Sequence, residues 1–222
     1  MSEPFGELSE QAIRRVRRRL LSWGRVHYHD YIWRTEPDPW LTLVAEFLLQ
    51  RTRSSQVEPI FRDFCTRYPT AADLVRAGPE AAHAVTKGLG IHWRGPLLYR
   101  LAVAVAKNGG IPPESLDQLG QFTGVGPYTA AAWLSLHRGK RAVIVDSNVF
   151  RWLGRMTGRP YQRDPRHMHW VNDLADRLTP RRAFRDYNYA VLDFTMSVCT
   201  PRDPRCAECP LRSDCAFGTR GH

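Results

Sequence analysis

The chain has 222 residues, of which 43 % are hydrophobic and seven are tryptophan, so it can bury a substantial core. A net charge of +10, carried almost entirely by arginine, favours a polyanionic partner, either nucleic acid or an anionic membrane. Arginines interrupt the apolar residues near the N-terminus, which excludes a signal peptide or a membrane span there and predicts a cytoplasmic protein. The charge alone does not choose between the two partners, and the motifs below favour nucleic acid and no membrane partner.

Apolar residues recur at helical intervals through most of the chain. Residues 8–24 predict a basic amphipathic helix, and "WLTLVAEFLLQRTRSSQVEPIFRDF" continues the helical pattern from Trp40 onward. Further helices are predicted at 70–86, 95–107, 128–138, 149–157, 167–178 and 184–198. The single candidate strand is "RAVIV" at 141–145, so the predicted fold class is all-α.

A glycine-rich turn interrupts two helical patterns in "LGQFTGVGPYTAAAWLSL". Gly124 and Gly126 can adopt positive φ and allow another molecule to approach the backbone closely, and Pro127 suits the first turn of a helix. The N–H groups at that helix start would form a phosphate site. The glycines alone favour the alternative, an ordinary turn between helices.

Asp146 ends an apolar run and opens a helix in "VIVDSNVFRWLGRMTG". Aspartate is a good N-cap, which is a purely structural role. A carboxylate at a helix N-terminus can also stabilise a developing cation or orient water. The two roles are compatible.

Four of the five cysteines lie within "CTPRDPRCAECPLRSDC". In a reducing compartment such a group indicates metal ligands rather than disulfides. The spacing of Cys199, Cys206, Cys209 and Cys215 alone leaves zinc and a 4Fe-4S cluster open. Arg202 and Arg205 in this loop form either a phosphate-binding surface or solvated charges.

Two of these motifs, in this order, resemble the endonuclease III and MutY superfamily of helix-hairpin-helix DNA glycosylases. "FTGVGPYTAAAWLSLHRGKRAVIVDSNVFR" resembles the hairpin and catalytic aspartate, and the cysteine spacing resembles the family's 4Fe-4S loop. The resemblance implies a two-lobed fold. A helical barrel domain at 36–146 would carry the hairpin at about 116–138, and residues 1–35 plus 147–222 would form the cluster domain.

The resemblance implies that duplex DNA containing a mispaired or damaged base binds across the cleft between the lobes of a monomer. Asp146 would act beside the sugar of a flipped nucleotide, whose vacated place Gln50 and Arg51 would fill. A polar helix end is the alternative for these two residues. The family's hairpin also implies backbone contacts to DNA and a monovalent cation, with the DNA contacts predicted at Gly124, Val125, Gly126 and Thr129.

Tyr128 stands where family members that also cleave the DNA backbone carry lysine. This departure predicts a monofunctional, hydrolytic enzyme, and tyrosine there resembles the thermophile-type glycosylases that remove thymine or uracil opposite guanine. Thr123 is a second departure, because the hairpin commonly has proline there.

Glu46 matches the family's pocket carboxylate, on a helix face predicted to meet either the DNA cleft or solvent. Its presence keeps an adenine glycosylase without the extra 8-oxoguanine domain as the alternative, alongside a glycosylase for other damaged bases. Two alternatives from other classes are a DNA-binding module without catalysis and an electron-transfer protein.

Overall fold

A computed structural model describes residues 8–90, 93–159 and 169–219. These residues form helices without any β-strand, which confirms the all-α prediction. None of these helices is both long enough and apolar enough to cross a membrane. The α-helices are α1 (Glu10–Val26), α2 (Pro39–Leu48), α3 (Ser54–Arg67), α4 (Ala71–Ala77), α5 (Pro79–Lys87), α6 (Arg94–Lys107), α7 (Leu116–Gly120), α8 (Pro127–His137), α9 (Ser147–Thr157), α10 (His169–Leu178), α11 (Phe184–Ser197) and α12 (Ala216–Thr219).

Two predicted elements differ from the observed ones, and a third lies partly outside the described residues. The candidate strand at 141–145 has no regular secondary structure. The helix predicted at 70–86 is two helices, because Gly78 adopts a φ of 88° and Pro79 starts a new helix. Residues 167 and 168 of another predicted helix lie outside the described part of the chain.

The chain divides into two compact units, each with its own apolar core. The central unit is Asp30–Ala142, and the terminal unit combines Met1–His29 with Val143–His222. The sequence placed these divisions at 36 and 146, whereas the structure assigns Asp146 and the three residues before it to the terminal unit.

The central core is rich in aromatic side chains from α2, α3 and α8. Trp40 and Trp133 are almost fully buried, and each places its indole N–H on a backbone carbonyl. Between α2 and α3 the chain leaves the helical conformation at Arg51, whose φ is 55°. The stretch that reads as a continuous helical pattern in the sequence is therefore two helices joined by a tight turn.

The terminal unit joins the two ends of the chain. Arg15 and Arg19 of α1 both bind the carboxylate of Asp214, at 2.8 Å each. Two arginines of the predicted basic helix, which is α1, therefore bind the cysteine loop through ion pairs.

Helices α1 and α11 approach closely at Gly24. A Cβ atom added to Gly24 would lie 2.5 Å from the Cβ of Ala190, where no flexible side chain can move aside. We expect Gly24→Ala to lower the free energy of unfolding by about 1–2 kcal/mol, because overpacking outweighs the gain in helix propensity. Denaturant unfolding measures this difference.

Gly120→Ala is the matched control, because no atom of the described residues lies within 4 Å of a Cβ atom at Gly120. Its unfolding free energy should stay within about 0.5 kcal/mol of the unchanged protein. Equal stability of both variants would contradict the tight helix contact at Gly24.

Candidate functional site

The predicted hairpin lies between α7 and α8 in the central unit. Gly124 adopts a φ of 87°, and a Cβ atom there would lie 2.7 Å from the ring of Phe47. Glycine is therefore required at this position by both conformation and space. The prediction of positive φ is wrong for Gly126, which is the N-cap of α8 with a φ of −81° and open space around it.

Two predicted DNA contacts of the hairpin have their side chains turned into the protein. Val125 is 4 % exposed and donates its backbone N–H to the carbonyl of Phe122. Thr129 is also buried, and its hydroxyl accepts a hydrogen bond from Gln50. Since Gly126 is the N-cap and brings no capping side chain, the start of α8 presents backbone rather than side chains for contact with a phosphate.

Gln50 joins the turn after α2 to the hairpin. Its amide donates to the carbonyl of Gly124 at 2.9 Å and to the hydroxyl of Thr129 at 3.0 Å. Gln50 is half-buried, whereas the neighbouring Arg51 is exposed at the turn. The carbonyl of Gly124 is thus already an acceptor, and the expected monovalent cation at the hairpin stays a prediction.

Arg94 holds this turn from within the protein, a role that the sequence did not indicate. It is 1 % exposed and donates to the carbonyl of Leu48 at 3.1 Å and the hydroxyl of Thr52 at 3.0 Å. Burial lowers the pKa of its guanidinium, and the positive charge of Arg51 lowers it further. The conformation of the turn therefore depends on a buried cation.

Three polar residues at every fourth position, two in α2 and one in the turn that follows it, each meet a partner on α8. Glu46 is 5 % exposed, and its Oε1 lies 2.8 Å from Nε2 of His137. The solvent-facing alternative for Glu46 is therefore wrong, because this face of α2 packs against another helix. The pairs are Thr42 with Trp133, Glu46 with His137, and Gln50 with Thr129.

Tyr128 occupies the first turn of α8, one residue before Thr129. Its side chain is half-buried, so part of the ring remains accessible. No lysine lies within α8, whose first turn therefore carries a phenol and not an amine.

Asp146 is the N-cap of α9, as its place in the sequence predicted. Its Oδ1 accepts the backbone N–H of Val149 at 2.7 Å, and its Oδ2 accepts the side-chain amide of Asn148 at 2.8 Å. Asn148 in turn accepts a hydrogen bond from Arg151 at 2.9 Å. Both carboxylate oxygens are thus fixed by donors from the first turns of α9.

Two arginines on one face of α9 bind the start of the cysteine loop. Arg151 donates to the carbonyls of Thr195 and Cys199, and Arg155 donates to those of Thr200 and Pro201. Hydrogen bonds therefore run from Asp146 through Asn148 and Arg151 to the backbone of the first cysteine. Asp146, Asn148 and Arg151 are closely spaced at the start of one helix. This spacing was the sequence signal that could have revealed the series of hydrogen bonds.

The four clustered cysteines line one cavity in the terminal unit. Burial raises the pKa of Cys209 to about 11, with the nearby thiols adding to the shift, and burial also raises the pKa of Cys215. Two N–H donors face sulfur, from Arg155 to Cys199 and from the backbone of Gly218 to Cys215, each at 3.5 Å. Thiols that line one cavity and receive N–H donors suit a cationic core, to which they would bind as thiolates.

The thiols surround this cavity without meeting at one point. Within the described ranges, no three His, Cys, Asp or Glu side chains form a group that could hold a single metal ion. Arg202 and Arg205 are exposed on the same loop, and Arg205 also lines the cavity. Cys65, the fifth cysteine, lies in the central unit and packs against its apolar core.

Comparisons with known proteins all find DNA glycosylases or base excision DNA repair proteins. The family model for HhH-GPD superfamily base excision DNA repair proteins matches residues 44–171. A thymine-DNA glycosylase from Aeropyrum pernix is 36 % identical, with 95 % of this chain and 97 % of the relative covered. An adenine DNA glycosylase from Mycolicibacterium smegmatis is 33 % identical, with 91 % of this chain and 69 % of that relative covered.

A solved structure of a thermostable thymine-DNA glycosylase superposes with a TM-score of 0.87 at 29 % identity, covering 95 % of this chain and 98 % of that one. The match to the family model spans the hairpin, α8 and Asp146. The chain belongs to the HhH-GPD superfamily of base excision DNA repair proteins.

Proposed function

We propose that the protein is a DNA glycosylase that hydrolyses the N-glycosidic bond of thymine or uracil opposite guanine in duplex DNA. The observation that carries this proposal is the similarity to thymine-DNA glycosylase over nearly the full length of both chains. The adenine relative is also similar, but this chain spans a smaller share of it. Adenine release is therefore the second candidate.

The proposed reaction breaks the bond between the sugar and the flipped base, which builds positive charge on the sugar ring. Asp146 is the carboxylate proposed to stabilise that charge and to orient water. Its two oxygens are held by Val149 and Asn148, so the side chain needs no rearrangement when the charge develops. This preorganisation supports a catalytic role beyond helix capping.

The central unit would bind the DNA and the base. The backbone at the start of α8 would contact a phosphate, and Arg51 with Gln50 would enter the space that the flipped nucleotide leaves. Oε1 of Glu46 is bound to His137, and no other hydrogen bond to Glu46 occurs among the described residues, so Oε2 can meet the base edge. The half-exposed ring of Tyr128 is proposed to contact the same nucleotide.

The cysteines Cys199, Cys206, Cys209 and Cys215 are proposed to hold a 4Fe-4S cluster, which is larger than a single ion and fits thiols arranged around a cavity. When bound, the cluster would cross-link the loop rather than take part in base release. The exposed Arg202 and Arg205 would then contact DNA phosphates from a fixed backbone.

Base release from a panel of duplexes tests the proposed activity. We expect release from G·T and G·U, with at least about tenfold slower release from A·8-oxoguanine and from alkylated bases. The DNA strand should stay intact until it is heated in alkali, because Tyr128 cannot form an imine with the sugar. Faster release of adenine, or a DNA adduct trapped by borohydride, would contradict the proposal.

A further inference from the structure

His137 is the last residue of α8, and its side chain is 1 % exposed. Its Nε2 lies 2.8 Å from Oε1 of Glu46, which stands 91 residues earlier in the chain. Its other ring nitrogen, Nδ1, is buried and has no hydrogen-bond partner among the residues that the structure describes. A buried imidazole with one bound and one unpartnered nitrogen limits where its proton can lie.

A neutral imidazole carries one proton, on either Nδ1 or Nε2. A proton on Nδ1 would leave a buried N–H donor without an acceptor, which is costly, and a doubly protonated ring would leave the same donor unpaired. A proton on Nε2 points at Glu46, whose carboxylate then accepts a hydrogen bond from the ring. The surroundings of His137 therefore favour the form in which Glu46 is an acceptor.

We propose that His137 is a positioning residue that fixes Glu46 as a hydrogen-bond acceptor, so that the pocket selects a base carrying a ring N–H donor. This inference rests on the proposed function. Thymine and uracil carry such a donor at N3, on the edge that is exposed when the base leaves the duplex. The ring nitrogens of adenine at N1, N3 and N7 are all acceptors, so Glu46 held in this state cannot accept a hydrogen bond from the ring of adenine.

The neighbouring polar contacts explain why the pair stays in place. Four residues before Glu46, Thr42 accepts a hydrogen bond from Trp133, and four residues after it, in the turn that follows α2, Gln50 donates to Thr129. These two contacts fix α2 against α8 on both sides of Glu46. One oxygen of the Glu46 carboxylate is bound to His137, and the other can bind the base. The selectivity thus arises from helix packing rather than from a loop.

A double-mutant cycle tests the inference on the full-length protein. We expect His137→Leu to slow single-turnover base release from G·T about 10- to 100-fold, with duplex affinity changed less than about threefold. His137→Gln should stay within about threefold of the unchanged enzyme, because its amide can still donate to Glu46. In a Glu46→Gln background, His137→Leu should add less than about a twofold loss.

Thr86→Val is the control for packing, because Thr86 is fully buried in the same unit and, within the described part of the chain, its hydroxyl bonds only to carbonyls of its own helix. It should leave the rate unchanged. Equal losses from His137→Leu in both backgrounds would overturn the inference and indicate a structural role alone. A faster release of adenine in His137→Leu, with thymine release lost, would support it.

Nitrogen NMR of the free protein gives a readout independent of activity. The imidazole signals that disappear in His137→Gln should show a protonated Nε2 and a bare Nδ1. A proton on Nδ1 would overturn the inference even in an active enzyme. If no duplex in the panel releases a base, the proposed function fails, and the NMR result alone decides the state of the pair.

Discussion

We expect Asp146→Asn to slow base release by about 10³-fold while duplex affinity stays within about threefold. Asparagine caps helices as well as aspartate does, so the hydrogen bond to the N–H of Val149 can persist. The negative charge needed beside the sugar is lost, and the new amide would face the amide of Asn148. Single-turnover kinetics on G·T and G·U duplexes measure the effect.

Asp38→Asn is a closely matched control. Asp38 is the N-cap of α2, and its side chain accepts the N–H of Leu41 at 2.9 Å, the same local role that Asp146 has in α9. Its replacement removes one negative charge from another helix start and should leave the rate of base release unchanged. Similar losses in both variants would show that Asp146 acts through helix capping and not through its charge.

The second large effect concerns the cysteine loop. We expect Cys209→Ala to reduce bound iron from about four atoms per chain to below about one, and to abolish the visible absorption of the cluster. Without it, a loop held chiefly by two 3-10 turns and arginine contacts loses its cross-link, so thermal stability should fall as well. Metal analysis and thermal unfolding measure the two effects.

Cys65→Ala is the control, because Cys65 packs against the apolar core of the other unit. It should keep its iron and its absorption spectrum. Burial raises the pKa of Cys65 to about 11, so its thiol is neutral and inert near neutral pH. Zinc in place of iron in the unchanged protein, or equal iron loss in both variants, would contradict the proposed cluster.

The helical character and the hairpin were predictable because both depend on local patterns. Apolar spacing marks the helices, and Gly124 marks the positive φ of the turn. The helix end at Gln50 and Arg51 was expected from the family resemblance, whereas the break at Gly78 was not predicted, because the apolar pattern continues across it. A helical period alone does not show where the chain changes direction.

Contacts between residues that are far apart in the chain could not be predicted from the sequence. His137 and Arg94 bind groups on α2 and the following turn, and no spacing relates them to their partners. Glu46 was identified as a candidate, but its surroundings depend on how α2 packs on α8. The short spacing from Asp146 to Arg151 was readable in principle, since both lie on one helix.

The division of the terminal unit has a consequence for synthesis on the ribosome. Asp214 is 199 residues after Arg15, so α1 emerges long before the segment it binds. The contiguous unit Asp30–Ala142 can fold during this time. The apolar side of α1 stays exposed until the segments that pack against it have been synthesised. We therefore expect the core of the terminal unit to form last and most slowly, because its two parts are far apart in the sequence and bringing them together costs loop-closure entropy.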